Sequence, residues 1–568
     1  MQDQLFHRDL PLLSRALGRA VAVALLKGRS NYLCRERLLR LPTELPLDGA
    51  QTLAAQVQHW AGQTREGDLA ELPELPDGHP LRERITSTRD SCTAHRCAEF
   101  GRCHVFAARR RAAEADLVVV NHHLLLADLA LKEEGFGDLL PAADALILDE
   151  AHQLPELAAS SFGTQFSGRR VERLMTDIPE VLLQVGLDPA AVAAETQALQ
   201  QALSLMQREC AQLAGGGARA DWNADQPRLD VAAAGLVVAL GVLADALIDT
   251  DPGETIAQLA GRATALAGAL DTIASAGESE GARLVSATAR SFSCQLVPFE
   301  IAARFRALMQ SRPAAWIFTS ATLAVGDDFS HFQRRLGLDD RCRTLRIDSP
   351  FEFARQALLY LPEHMPDPAS PDFTEAVVRC AAGLIEASGG GAFLLFTSHR
   401  ALAAAARLLR ATRAELPLLV QGESPREQLL REFRRRDDAV LLGSASFWEG
   451  VDVKGRALRL VVIDRLPFAS PEDPVIRARM RHARESGGDP FSDFQVPEAA
   501  LALKQGVGRL IRSEQDEGLV VICDPRLVSR GYGRRLLAAL PPMRRSRDAA
   551  DALQLLRRLA HDGAAAGA

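Results

Sequence analysis

Six short apolar runs, at residues 117–120, 145–148, 315–319, 392–397, 439–442 and 458–463, punctuate this chain, and helical stretches alternate with the later ones. Runs of this length, rich in Val, Ile and Leu, are what strands look like when a sheet is covered on both faces. Strands that alternate with helices are joined by crossovers, and a crossover brings the next strand in parallel to the last. The fold class this predicts is α/β, built on parallel sheets.

A length of 568 residues implies several domains, and 47% apolar residues supply material for large cores. No uninterrupted apolar run reaches membrane-spanning length, and the N-terminus lacks the charged-then-apolar pattern of a signal peptide. The expectation is a cytoplasmic protein that does not engage a membrane. A net charge of −7 neither marks nor excludes a nucleic-acid binder, because binding depends on where positive charge clusters. Lysine occurs only at Lys27, Lys132, Lys454 and Lys504, so arginine carries the positive charge, which reads as the coding bias of a GC-rich genome. Cys210, Cys294, Cys342, Cys380 and Cys523 are scattered. Cys92, Cys97 and Cys103 form a tight group with Cys34 upstream. In a cytosolic chain such a group suggests a metal before disulfides.

Residues 13–26 have helical character, 41–90 mix Pro, Gly and charges without a core period, and 106–115 read as a basic helix. From about 165 to 305 the chain is rich in Ala and Leu with few strand signals. This reads as a helical insertion broken at Gly215-Gly216-Gly217 and Asp251-Pro252-Gly253. The Ala-rich tail from His561 is expected to be disordered, and no solenoid repeat is present.

Asp149-Glu150-Ala151-His152 follows the run at 145–148 directly. ATP hydrolysis needs a metal on the phosphates and a water aimed at the γ-phosphorus. Asp149 suits Mg²⁺, held through water, and Glu150 suits orienting and deprotonating the attacking water. Taken alone, the pair is also compatible with a solvated strand end. The second motif is Gln505-Gly506-Val507-Gly508-Arg509-Leu510-Ile511-Arg512. Two arginines three apart on a helix share a face and reach a phosphate lodged between domains. Thr319-Ser320-Ala321-Thr322-Leu323 and Gly443-Ser444-Ala445-Ser446-Phe447-Trp448-Glu449-Gly450-Val451-Asp452 each follow an apolar strand, where small hydroxyls can relay a hydrogen-bond change.

In this order and spacing the motifs resemble the superfamily 2 helicases of the XPD/DinG type. Asn121-His122-His123-Leu124-Leu125, Phe396-Thr397-Ser398 and Leu466-Pro467-Phe468 place the resemblance nearest the DinG/YoaA group. The resemblance implies two RecA-like motor domains, the first incomplete, with an iron–sulfur insertion and a helical arch. Its divisions fall at 1–30 (remnant of motor domain 1), 31–110 (iron–sulfur domain), 111–164 (motor domain 1 with DEAH), 165–308 (arch), 309–345 (return to motor domain 1), 346–560 (motor domain 2) and 561–568 (tail). It makes Asp149, Glu150, Arg509 and Arg512 catalytic, and His152, Gln505, Gly508, Asp452 and Glu449 part of the nucleotide site. The spacing C-x4-C-x5-C suits thiolate coordination of iron–sulfur or zinc alike but lacks the paired C-x-x-C of a zinc ribbon. The resemblance favours a [4Fe–4S] cluster on Cys34, Cys92, Cys97 and Cys103, with Mg²⁺ on Asp149 and ATP as substrate. Arg109-Arg110-Arg111 and the stretch carrying Arg477, Arg479, Arg481 and Arg484 are candidate phosphate contacts, and Trp448 and Phe468 candidate stacking residues, though core packing suits both.

The sequence contains no Gly-Lys pair, hence no Gly-x-x-x-x-Gly-Lys-Ser/Thr phosphate loop. Met1-Gln2-Asp3-Gln4-Leu5 resembles the family's DNA-contacting motif Ia, which reads Leu-Gln-Asp-Gln-Leu, so a start assigned at an initiating leucine codon is expected. As it stands, the first motor sheet is expected to lack a strand and to expose apolar surface. The functional expectation is an ATP-dependent 5′→3′ DNA helicase of replication and repair. Its partners would be single-stranded, forked or R-loop DNA and replication or single-strand-binding proteins, and it would act as a monomer. The alternative is a catalytically inactive Fe–S protein that binds single-stranded DNA or a replication partner.

Overall fold

The computed structural model describes all residues except 1, 3–4, 42–49, 73, 76–78, 89–90, 134–138, 216–218, 224, 289–290, 325, 339–341, 445–446, 448–452, 454 and 566–568. The chain divides into two compact units, Met1–Leu148 with Gln153–Phe318, and Asp149–His152 with Thr319–Ala568.

In the first unit β1 (Val23–Leu25) runs parallel to β2 (Leu117–Val119), with Val23 opposite Leu117. β3 (Ala145–Leu148) leads to the DEAH segment. β4 (Thr164–Ser167), β5 (Arg219–Asp221), β6 (Gly281–Ala287) and β7 (Phe292–Pro298) form an antiparallel sheet in the order β4-β7-β6-β5. β8 (Ala315–Phe318) returns parallel to β3, Ala315 opposite Ala145. Among the described residues the pairs β1-β2 and β3-β8 are separate sheets. On β3 and β8, Ile147 is 70% and Ile317 45% exposed.

Two expectations change here. The helix expected over 13–26 is instead Leu10–Leu17 followed by β1. Gly18, at φ +63°, closes that helix in the left-handed conformation that glycine adopts without a Cβ clash. The insertion carries its helices, Gly168–Gln184, Ala193–Ala214, Pro227–Thr250 and Glu254–Ser275, but also the four-stranded antiparallel sheet, which Ala/Leu composition concealed. The helix Pro227–Thr250 is long and apolar enough to cross a membrane. Its Leu229, Leu236, Leu240, Leu243 and Leu247 recur every three to seven residues and are packed into the insertion's own core. Residues 33–85, without a legible period, nevertheless close a small core of Leu33, Val57, Leu69, Leu75, Leu81 and Ile85. Its helices, such as Arg35–Leu39 and Pro80–Ile85, are too short to show one.

Asp128 and Arg312 brace this unit from inside. Asp128, fully buried, accepts from Arg312 Nη1 (2.7 Å) and from the backbone N–H of Leu139 (2.7 Å) and Leu140 (2.9 Å). Arg312 Nη2 also donates to the Pro141 carbonyl (2.9 Å). The brace therefore joins the approach to β3 to the approach to β8.

The second unit is built on seven parallel strands: β9 (Ala357–Tyr360), β10 (Ala392–Leu395), β11 (Leu418–Val420), β12 (Val440–Gly443), β13 (Leu460–Ile463), β14 (Gly518–Ile522) and β15 (Arg544–Ser546), ordered β11-β12-β10-β13-β14-β9-β15. The period of two along each strand sends Leu359, Phe393, Leu441, Val461 and Val520 into one core and Leu358, Leu394, Leu442, Val462 and Val521 into the other. The helix Val496–Val507 covers the first face, and Phe373–Ser388 and His399–Thr412 cover the second. The helix Ala549–Ala565 runs through much of the tail expected to be disordered, anchored by buried Ala552 and Leu556. Alanine's high helix propensity explains why so bland a stretch stays helical.

Candidate nucleotide site and cysteine segment

The DEAH segment turns sharply after β3. Glu150 adopts φ +50°, a left-handed conformation rare for a residue with a Cβ and concentrated at functional sites. The Ala151 N–H donates to the Thr319 carbonyl (3.0 Å), and Thr319 Oγ1 donates to Asp149 Oδ1 (2.9 Å), so the two motif segments are laced together. Asp149 itself is exposed.

Around Glu150 the side chains form a closed hydrogen-bond network. The Gln505 amide N–H donates to His152 Nε2 (2.7 Å) and to Thr322 Oγ1 (3.3 Å). Because Nε2 accepts, the imidazole proton is assigned to Nδ1, which faces Ser320 Oγ (2.9 Å) and the Glu150 carboxylate (3.3 Å). Ser320 Oγ donates to Glu150 Oε2 (3.2 Å) and accepts from the Thr322 N–H (3.1 Å). The His152 hydrogen bond, with smaller pulls from Ser320 and the Arg509 cation, holds the Glu150 carboxyl below its ordinary value although burial opposes this. A carboxylate kept ionised and fixed at two points has the chemistry of a base that aligns a water.

The helix Val496–Val507 carries Gln505 and ends with Gly508 as its C-cap. Arg509 and Arg512 therefore lie in the turn beyond the helix and not on a shared helical face as the sequence suggested. Asp516 is the physical reason: its Oδ2 accepts the N–H of Arg512 (2.7 Å) and Ser513 (2.8 Å), replacing the helical partners of those groups. Asp516 Oδ1 also accepts the Gly455 N–H (3.0 Å). Arg509 Nε donates to the Gln505 carbonyl (3.1 Å), which keeps it beside the network. Asp516 was not singled out from the sequence; its only signal is a carboxylate four residues after an arginine. Trp448, Glu449 and Asp452 lie outside the described residues.

The candidate phosphate contacts fare unevenly. Arg477, Arg479, Arg481 and Arg484 sit on the helix Pro474–Glu485, where Arg477, Arg481 and Arg484 share a face and Arg479 lies over the Phe494 ring (5.9 Å). In the 109–111 run, Arg109 is half-buried over Phe106 (5.6 Å), Arg110 is exposed, and Arg111, also exposed, pairs with Glu66.

Cys34, Cys92, Cys97 and Cys103 are free thiols, none fully buried. Cys34 and Cys103 cap the N-termini of the helices Arg35–Leu39 and His104–Glu114, and Cys97 and Cys103 each close a 3₁₀ turn. Burial raises the Cys34 thiol, and Cys103 and Cys97 raise it further, so Cys34 is within electrostatic reach of both. Arg109, lowered chiefly by burial, senses both Cys92 and Cys103. Among the described residues no three His, Cys, Asp or Glu side chains stand close enough to share one metal ion. Arg96, next to Cys97, pairs with Glu254 at the start of an insertion helix (2.5 Å).

Residues 381–543 match the helicase C-terminal domain family. The chain is 40% identical to the ATP-dependent DNA helicase YoaA of Escherichia coli K12, over 98% of this chain and 87% of that protein. It belongs to the YoaA/DinG family of ATP-dependent DNA helicases. YoaA of Haemophilus influenzae Rd is 38% identical over 98% of this chain and 87% of its own length. The DinG helicase of Mycobacterium tuberculosis H37Rv is 32% identical over 100% of this chain and 88% of its own length. A solved XPD helicase shares the fold, with a TM-score of 0.55 at 13% identity, covering 96% of this chain and 90% of that one. This member of the YoaA/DinG family of ATP-dependent DNA helicases thus has an XPD-like α/β fold.

Proposed function

We propose that the protein translocates 5′→3′ on single-stranded DNA and unwinds forks and R-loops during replication and repair, as a cytoplasmic monomer. The observation that supports ATP hydrolysis in this reading is the network in which Gln505, His152, Ser320 and Glu150 join three motif segments around one carboxylate; polarity and the DNA forms rest on the family resemblance alone. Asp149 would hold Mg²⁺ on ATP and Glu150 would align and deprotonate the attacking water. Gln505, His152 and Gly508 hold this wall of the nucleotide site, with Glu449 and Asp452 assigned to it by their motif. Arg509 and Arg512 supply positive charge where negative charge builds up on the transferred phosphoryl group. Arg477 and Arg484, exposed on one face of the helix Pro474–Glu485, offer cations to phosphates.

Cys34, Cys92, Cys97 and Cys103 would hold a [4Fe–4S] cluster, one thiolate per iron. The chemistry of the donor set fits this group, since four thiols are the ligands such a cluster takes, and Cys97 and Cys103 act electrostatically on Cys34. The cluster would supply a rigid crosslink between chain segments that are far apart in sequence.

The test is DNA-stimulated ATPase together with strand displacement on duplexes carrying 5′ or 3′ single-stranded tails. Wild-type protein should act on 5′-tailed substrates only. Glu150→Gln should lose about 10²–10⁴-fold in hydrolysis, the usual worth of a positioned base, while binding DNA normally. A second reading is an Fe–S single-stranded-DNA-binding protein without hydrolysis, and the same assay separates the two. DNA binding with no stimulated ATPase in the wild type would establish it and sink the first.

A further inference from the structure

At the carboxyl ends of β13 and β14 one buried carboxylate organises a surface that the nucleotide site does not use. Asp524, 2% exposed, accepts the Leu466 N–H (2.9 Å), the Arg526 N–H (3.0 Å) and Arg526 Nη2 (2.6 Å), and so staples the loop after β13 to the turn after β14. Three half-buried rings meet as a result. Centroids are 5.3 Å apart for Phe468–Phe491, 5.4 Å for Phe468–Tyr532 and 5.3 Å for Phe491–Tyr532, the last two edge-to-face. The Arg526 guanidinium lies 5.8 Å from the Phe468 centroid. Gly533 fixes Tyr532 in this place: a Cβ there would fall 2.0 Å from the Leu527 carbonyl oxygen, so only glycine lets the two backbones touch.

Arg530, Arg534 and Arg535 flank Tyr532, are exposed, and make no ion pair among the described residues. Some exposed arginines of the unit are matched, as in Arg410–Glu423, Arg413–Glu386 and Arg558–Glu517, whereas these three stand together around one aromatic cluster with no carboxylate partner among the described residues. No acidic residue lies within 530–535, and the neighbouring Asp524 is taken up by Arg526. Unmatched guanidinium groups repel one another and call for a polyanion, and adjacent ring surface calls for flat apolar faces. A single strand of nucleic acid offers both. Crevices beyond the carboxyl ends of parallel strands are where α/β sheets take ligands.

We propose that Tyr532, with Phe468 and Phe491 behind it and Arg530, Arg534 and Arg535 around it, is a docking site for single-stranded DNA. A base stacks on the aromatic cluster, and the arginines take the flanking phosphates. The proposal rests on the DNA-helicase assignment, which wild-type oligonucleotide binding checks by itself.

The experiment is fluorescence anisotropy of the full chain with a labelled oligo-dT across a salt series. Tyr532→Ala should weaken binding about 5- to 100-fold, the range for loss of one base–aromatic stack. Tyr532→Phe should bind as wild type because the ring remains. Each of Arg530→Ala, Arg534→Ala and Arg535→Ala should reduce the slope of log affinity against log salt by about one phosphate contact. If Tyr532→Ala fails to fold, the arginine variants and photocrosslinking of a 5-iododeoxyuridine oligonucleotide mapped to the 526–535 segment decide the matter. A folded Tyr532→Ala with wild-type affinity, or unchanged salt slopes in the arginine variants, overturns the site and leaves the surface for a protein partner. No binding by the wild type overturns the helicase assignment along with it.

Discussion

Replacing Asp128 by Ala should unfold the first unit more readily than any surface change, and the reason can be worked from its partners. The carboxylate is fully buried and its counterion, Arg312, is 7% exposed. Removing one partner of a buried ion pair strands the other charge in low dielectric, at a cost of about 3–5 kcal/mol. The N–H groups of Leu139 and Leu140 lose their acceptor as well, each worth roughly 1–3 kcal/mol when left buried and unpaired. Relaxation and water entry recover part of this, so an overall loss of about 4–6 kcal/mol follows. Asp128→Ala combined with Arg312→Met no longer strands a guanidinium, and should recover roughly 2–3 kcal/mol relative to the sum of the single changes. Urea unfolding followed by limited proteolysis, with fragments assigned to each unit, reads the effect where a single two-state curve does not apply. A loss under about 1 kcal/mol for Asp128→Ala, or strict additivity in the double variant, would refute the argument that the pair carries the brace.

His152→Ala removes the largest cause of the lowered Glu150 carboxyl, so the acid limb of the ATPase pH profile should move to higher pH; an unmoved limb would separate this residue from the base. By linkage, Glu150 contributes stability that is present above the ordinary glutamate range and lost as pH falls through its lowered folded value, and the variant should lose that contribution. Burial raises Asp464, at the end of β13, from 3.8 to about 6. A raised carboxyl favours the folded state only while protonated, so stability of the second unit should decline as pH rises from about 4 to about 6, and Asp464→Asn should flatten that slope in thermal melts. Cys97→Ser should lower iron and acid-labile sulfide per chain in anaerobically prepared protein and increase proteolysis within residues 31–110; full retention of both would count against its role as a ligand.

The parallel sheets and their order of appearance were legible because a buried strand must be a short apolar run, whatever surrounds it. The runs at 117–120, 145–148, 315–319, 392–397, 439–442 and 458–463 all became strands. β14 was not singled out, although Gly518–Ile522 is apolar throughout, and the short strands β11 and β15 carry too few residues to announce themselves. The antiparallel sheet within the insertion was hidden by its helical neighbours, since composition averages over both. The small core of residues 33–85 was hidden by the brevity of its elements.

The sequence by itself determined the chemistry available: a DEAH turn after a strand, hydroxyls after another, a glutamine and two arginines late in the chain, and four thiols early in it. These are local facts, fixed by residue type and spacing. Tertiary structure decided which of them meet. Glu150, Ser320 and Gln505 lie 170 residues or more apart, and only folding puts His152 between them with its proton on Nδ1. It also took Arg509 and Arg512 off the helix, through Asp516, and gathered Phe468, Phe491 and Tyr532 beside unmatched arginines. Hydrogen bonds and charge pairs act over a few ångströms, so their partners are set by where the backbone passes, and a linear pattern does not encode that distance.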